Sequence, residues 1–167
     1  VVLDRIQEAG KMGTRIRTAA AAGCRGVLAV RGCTDPFGEK AVRSSMGAVL
    51  RIPVYENVEE SCLEVIRDAS GIPFIGTALS GAVSYRKTGP FPHGFFVFGN
   101  EGGGISDRIL SLCSRRVFIP VAAGVESLNV TAAAAVILFH YAADFEEWPA
   151  ENGSGSGSIG RNGDSRA

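Results

Sequence analysis

Phe95-Phe96-Val97-Phe98-Gly99-Asn100-Glu101-Gly102-Gly103-Gly104-Ile105-Ser106 decides how this chain is read. The apolar run that opens it has the character of a buried strand. It breaks straight into a turn that holds four glycines and one carboxylate. Adjacent glycines are poor in any strand or helix interior, because each loses more backbone entropy on folding than another residue would. A chain that keeps them at a strand end needs its backbone close to something, often a ligand. Downstream, Ile119-Pro120 and then Ser127-Leu128-Asn129-Val130 open an alanine-rich helix. The two segments point to a small-molecule site made by backbone loops.

Working outward from this stretch, strands alternate with helices. Strands are expected at the end of Val1-Val2-Leu3, at Gly26 to Val30, Val49 to Val54, Pro73 to Thr77, Gly94 to Phe98 and Arg116 to Ile119, with a short extended piece at Ala82 to Tyr85. Residues 4–13 read as a loop because of Gly10 and Gly13. A helix follows over residues 14–23, with Thr14 as N-cap and Gly23 as stop. Further helices are expected over Lys40 to Met46, Glu59 to Ala69, Ser106 to Leu112, and Leu128 to about Trp148. The Gly-Ser-rich tail, residues 151–167, reads as flexible. The alternation predicts an α/β fold with a mostly parallel sheet covered on both faces. Ligands of such sheets bind beyond the carboxyl ends of the strands, here the loops after Thr77, Phe98 and Ile119.

At 167 residues, 46% hydrophobic and 20% charged, the chain fits a single domain over residues 1–150 with a substantial core. It has no run of 18 apolar residues, so no membrane span is expected. It begins at Val1 and not Met, which suggests a segment of a longer protein with a further N-terminal domain. Net charge is zero, yet residues 1–51 hold nine Lys and Arg against four Asp and Glu. A basic half of this kind suits a polyanion such as RNA. Cys24, Cys33, Cys62 and Cys113 are scattered and only two histidines exist, so no zinc site is expected. The thiols read as reduced and the chain as cytoplasmic.

Several chemistries are disfavoured. A dinucleotide site needs G-x-G-x-x-G in the first strand–helix turn, whereas this glycine cluster sits late and carries a carboxylate. The P-loop pattern and the G-x-S-x-G nucleophile elbow are both absent.

Three segments in order are similar to the three motifs of the SpoU (TrmH-like) branch of the SPOUT RNA methyltransferases. They are Leu3-Asp4-Arg5-Ile6-Gln7 through Gly13 and Arg17-Thr18-Ala19, then Phe98 to Ser106, then Ile119-Pro120 through Ser127-Leu128-Asn129-Val130-Thr131. The resemblance spans nearly all of residues 1–148. It implies a C-terminal deep trefoil knot, a homodimer, and methyl transfer from S-adenosylmethionine to a ribose 2′-hydroxyl of rRNA or tRNA, without a metal. By the same resemblance Thr77, Ala78, Leu79, Gly99, Asn100, Gly102, Ile119, Pro120 and Leu128 would hold the donor. Arg17, Glu101, Ser127 and Asn129 would serve catalysis, and Lys11, Arg15 and Arg43 would contact RNA. Arg17 suits phosphate binding and hydroxyl polarisation better than proton abstraction, because a guanidinium stays protonated. The chain departs from the family pattern at two points: Lys11 stands where an asparagine is usual, and Glu8-Ala9 replaces Asp-Pro. The alternative these departures raise is a catalytically weakened RNA-binding or dimerisation module of the same fold.

Overall fold

The computed structural model describes residues 1–91, 93–125 and 128–142. Seven strands form one sheet: β1 (Val2–Leu3), β2 (Val27–Val30), β3 (Val54–Val58), β4 (Phe74–Thr77), β5 (Val83–Ser84), β6 (Phe95–Phe98) and β7 (Arg115–Phe118). Their order is β3-β2-β1-β6-β4-β7-β5, and every pairing is parallel. The helices are α1 (Ala9–Ala21), α2 (Glu39–Ser44), α3 (Glu60–Ser70), α4 (Asp107–Leu112) and α5 (Val130–Ala142).

The central strands β1, β2, β4 and β6 are apolar because both faces of the sheet are covered there. Successive side chains point to opposite faces and so sort into two cores. Leu3, Ala29, Ile75, Phe96 and Phe98 join Met12, Ile16, Ile137 and Leu138 from α1 and α5. Val2, Val30, Phe74 and Val97 join Leu63 of α3 and Ile109 and Leu112 of α4. Strand order is what positions the site. β1, β2 and β3 run outward in sequence, whereas β6 inserts between β1 and β4, and β7 between β4 and β5. The carboxyl ends of β6, β4 and β7 therefore lie side by side.

Two expectations are corrected. Helix α1 starts at Ala9 and takes in the segment read as a loop, with Thr14 inside it donating a hydrogen bond to the Gly10 carbonyl at 2.8 Å. Gly13 is needed there for packing: a Cβ would stand 2.1 Å from the Ala41 carbonyl oxygen of α2. This close crossing, with Met12 and Ile16 fully buried, outweighs the entropic cost of glycine in a helix. The strand expected at Val49 to Val54 is instead a short 3-10 turn over Ala48–Leu50, and β3 follows it. β3 lies at the sheet edge with Tyr55, Glu56 and Asn57 exposed, so it lacks the apolar pattern by which the other strands are recognised. The last helix is described to Ala142; its expected continuation to Trp148 and the tail lie outside the described residues.

Candidate ligand cleft

The loops after β4, β6 and β7 and the first turns of α5 enclose one cleft. Thr77, Ala78 and Leu79 line it from the first loop, Gly99, Asn100 and Gly104 from the second, and Ile119 and Val121 from the third. Leu128, Val130, Ala133 and Ile137 close it.

The second wall is a tight turn. Asn100 and Gly104 pair across it, with the Asn100 amide donating to the Gly104 carbonyl at 3.0 Å and the Gly104 amide returning to the Asn100 carbonyl at 2.9 Å. The Asn100 Oδ1 accepts from the Gly102 amide at 2.7 Å. Its Nδ2 donates to the Arg5 carbonyl at 3.0 Å. Gly104 has φ +63°, a conformation that favours glycine. At Gly99 the constraint is contact: a Cβ would fall 2.1 Å from the Gly104 carbonyl carbon. This wall of the cleft is thus backbone closed on itself, with the Asn100 side chain turned to Gly102 and Arg5.

Two residues that the sequence reading gave no role hold this turn. Asp4, 1% exposed at the end of β1, accepts the Ser106 amide at 2.6 Å and so ties the end of the glycine turn to the sheet. Arg5 adopts φ +53°, which is uncommon for a non-glycine residue, and presents its carbonyl to Asn100. Both lie in the first motif, and Asp4 is a carboxylate immediately after a buried strand.

The expected site residues divide by position. Thr77, Ala78, Leu79, Gly99, Asn100, Ile119 and Leu128 line the cleft, while Gly102 and Pro120 are exposed outside its lining. Thr77 donates its hydroxyl to the Val97 carbonyl at 2.9 Å, fixing β4 to β6 at the mouth. Asn129 accepts the Thr131 amide on its Oδ1 at 2.8 Å and so caps α5. Arg17 is exposed on α1, and Arg43 is exposed on α2 in an ion pair with Glu39. Ser127 lies outside the described residues.

Arg15, expected at the RNA, is buried beside the glycine turn. Its side chain is 1% exposed, and its Nη2 donates to Glu101 Oε1 at 2.7 Å. Burial pushes the guanidinium pKa down, and Glu101 opposes that shift. Lys11 stands 2.5 Å from Glu8 and 3.6 Å from Glu101. Its ammonium is held in the charged form, chiefly by the hydrogen bond to Glu8. Among the described residues no group of three or more His, Cys, Asp or Glu is placed to hold a metal, and no helix is long and apolar enough to cross a membrane.

A parallel sheet covered on both faces, with a backbone-lined cleft beyond its carboxyl ends, defines an α/β ligand-binding domain. The sequence profile of the SpoU rRNA methylase family matches residues 1–139, and the chain belongs to that family. Over 140 residues it is 34% identical to the 23S rRNA (guanosine(2553)-2′-O)-methyltransferase of Bacillus subtilis strain 168, covering 84% of this chain and 56% of that protein. It is 32% identical over 149 residues to the 23S rRNA (uridine(2479)-2′-O)-methyltransferase of Streptomyces viridochromogenes, covering 83% and 50%. The crystal structure of an AdoMet-bound rRNA methyltransferase from Sinorhizobium meliloti superposes with a TM-score of 0.79 at 33% identity, over 84% of this chain and 54% of that one. The chain spans about half the length of the curated relatives it matches.

Proposed function

We propose that this chain transfers a methyl group from S-adenosylmethionine to a ribose 2′-hydroxyl of rRNA or tRNA. The observation that carries the reading is the cleft itself: two of its walls are segments of the second and third motifs, the loop after β4 supplies another, and Asp4 and Arg5 of the first motif hold the glycine turn in place. The fit to the donor rests on Gly99. A side chain there would collide with Gly104 and force the turn open, and its absence lets bare backbone form the wall that an adenine edge and a ribose would meet.

Thr77, Ala78, Leu79, Gly99, Asn100, Ile119 and Leu128 would hold the donor. Gly102 and Pro120, outside the lining, would shape the loops. When bound, S-adenosylmethionine supplies an electrophilic methyl on a sulfonium and leaves as S-adenosylhomocysteine. The chain's own residues have two tasks, alignment and help with the hydroxyl proton. Arg17 would bind the phosphate beside the reacting ribose and polarise its hydroxyl. Asn129, fixed as the cap of α5 at the cleft edge, and Ser127 would orient donor or ribose. Lys11 and Arg43 would add phosphate contacts.

Two further parts of the reading have supporting features. Helix α5 is apolar around its circumference, and Val136 and Phe139 remain 37% and 50% exposed; a second copy covering them would make a homodimer. The insertion of β6 and β7 on either side of the earlier β4 suits a chain whose last segment threads a loop to form a trefoil knot.

Incubation with labelled S-adenosylmethionine and bulk rRNA or tRNA, then nuclease digestion and mass spectrometry, tests the reaction. The expected product is a 2′-O-methylnucleoside. A base-methylated product, or donor binding with no transfer to either RNA, would overturn it.

A further inference from the structure

Four charged residues link α1 to the glycine turn. Glu8, Lys11 and Arg15 come from the first half of α1 and the residue before it, and Glu101 comes from the turn that walls the cleft. Lys11 reaches both carboxylates, while Arg15 reaches Glu101 alone. Arg15 Nε and Nη1 are buried with no hydrogen-bond partner among the described residues. Its ion pair with Glu101 is therefore the main compensation for a guanidinium withdrawn from water. Glu101 directly follows Asn100, whose backbone and side chain make the bonds of the turn.

We propose that Arg15 is a positioning residue which, with Lys11, clamps Glu101 and so sets the shape of the Asn100–Gly104 wall before any ligand arrives. Glu101 is then a tether engaged with two cations and not a proton acceptor. The clamp also gives the two departures in the first motif a joint meaning. Lys11 and Glu8 neutralise each other within it, so the unusual pair adds to the clamp and leaves the donor cleft intact. The inference deepens the donor-site reading and rests on it for its ligand.

The test pairs Arg15→Met with Glu101→Gln, singly and together. Amide hydrogen exchange at Gly102, Gly103 and Gly104 in the free protein is one readout, and calorimetric affinity for S-adenosylmethionine is the other. Each single change is expected to speed exchange at these three amides and to weaken the donor about tenfold, since a preorganised wall is lost. The double variant is expected to weaken it by about tenfold in total, no more than either single change, because the two changes break one interaction. A merely structural role would raise exchange across α1 and the sheet alike. Unchanged exchange at the turn in Glu101→Gln overturns the clamp, as does a double variant that multiplies the single effects. If Arg15→Met fails to fold, Arg15→Lys replaces it and is expected to weaken the donor less than Glu101→Gln does. Wild-type protein that shows no donor affinity would count against the donor site, whereas the exchange comparison still decides the clamp.

Discussion

Gly99 lies against Gly104 so closely that a Cβ on Gly99 would stand 2.1 Å from the Gly104 carbonyl oxygen. The contact closes the turn between β6 and α4 and leaves the wall of the cleft as bare backbone. Gly99→Ala is therefore expected to cost about 1–3 kcal/mol of stability, in line with forced overpacking, and to abolish donor binding. Gly103 is the contrast. A Cβ there meets nothing closer than Arg5 at 3.8 Å, so Gly103→Ala is expected to stay within about 0.5 kcal/mol of wild type. Denaturant unfolding and a donor titration of both variants check this.

The two glycines of α1 separate in the same way. Gly10 has room for a methyl group, its nearest neighbour being the end of Lys40 at 3.6 Å, whereas a Cβ on Gly13 would sit 2.1 Å from Ser44 Oγ. Gly10→Ala is expected to stabilise the protein by about 0.5–1 kcal/mol through helix entropy. Gly13→Ala is expected to destabilise it by about 1–3 kcal/mol as α1 is forced off α2. Equal shifts in melting temperature for the two would contradict the helix crossing.

Arg17 is exposed and outside the cleft lining. Arg17→Ala should leave the melting temperature and donor affinity at wild-type values. Methyl transfer should fall by about a hundredfold or more, the scale of a lost proton-transfer aid. A weaker donor affinity in this variant would place Arg17 in the donor site and contradict the assignment.

Alkaline stability follows from the buried thiols. Burial pushes the Cys113 thiol up to about 11, from an ordinary value of about 8.5. The fold therefore favours the protonated form. That contribution is complete below about pH 8.5 and is lost as pH rises toward 11, because the unfolded chain ionises first. Cys24 and Cys33 are shifted up by burial as well. Denaturant midpoints should fall from pH 8 to pH 11, and the fall should be shallower in Cys113→Ala. Thiol reagents at pH 8 should label exposed Cys62 well ahead of the other three.

What the sequence made legible follows from where its signals are local. The strands β4 and β6 are apolar runs bounded by turn residues, β7 ends in Val117-Phe118 before Ile119-Pro120, and the loops that follow the three supply the cleft. The glycine turn was recognisable as a close backbone approach, although the pressure falls on Gly99 and Gly104 and not on all three adjacent glycines. Gly13 was misread because its reason for being glycine is α2, some thirty residues away in sequence. β3 was missed because an edge strand with exposed side chains carries no apolar period. The burial of Arg15 was invisible for the same kind of reason: its partner, Glu101, lies 86 positions away, and an arginine on a helix reads as surface until that partner is placed.

The most direct test is a calorimetric titration of the protein with S-adenosylmethionine and S-adenosylhomocysteine, with Leu128→Arg beside it. Leu128 lines the cleft, and an arginine there would occupy it. The account expects wild-type binding with a Kd of about micromolar, roughly −8 kcal/mol, and none in the variant. No binding by wild type, or equal affinity in Leu128→Arg, would contradict the assignment of this cleft as the methyl-donor site.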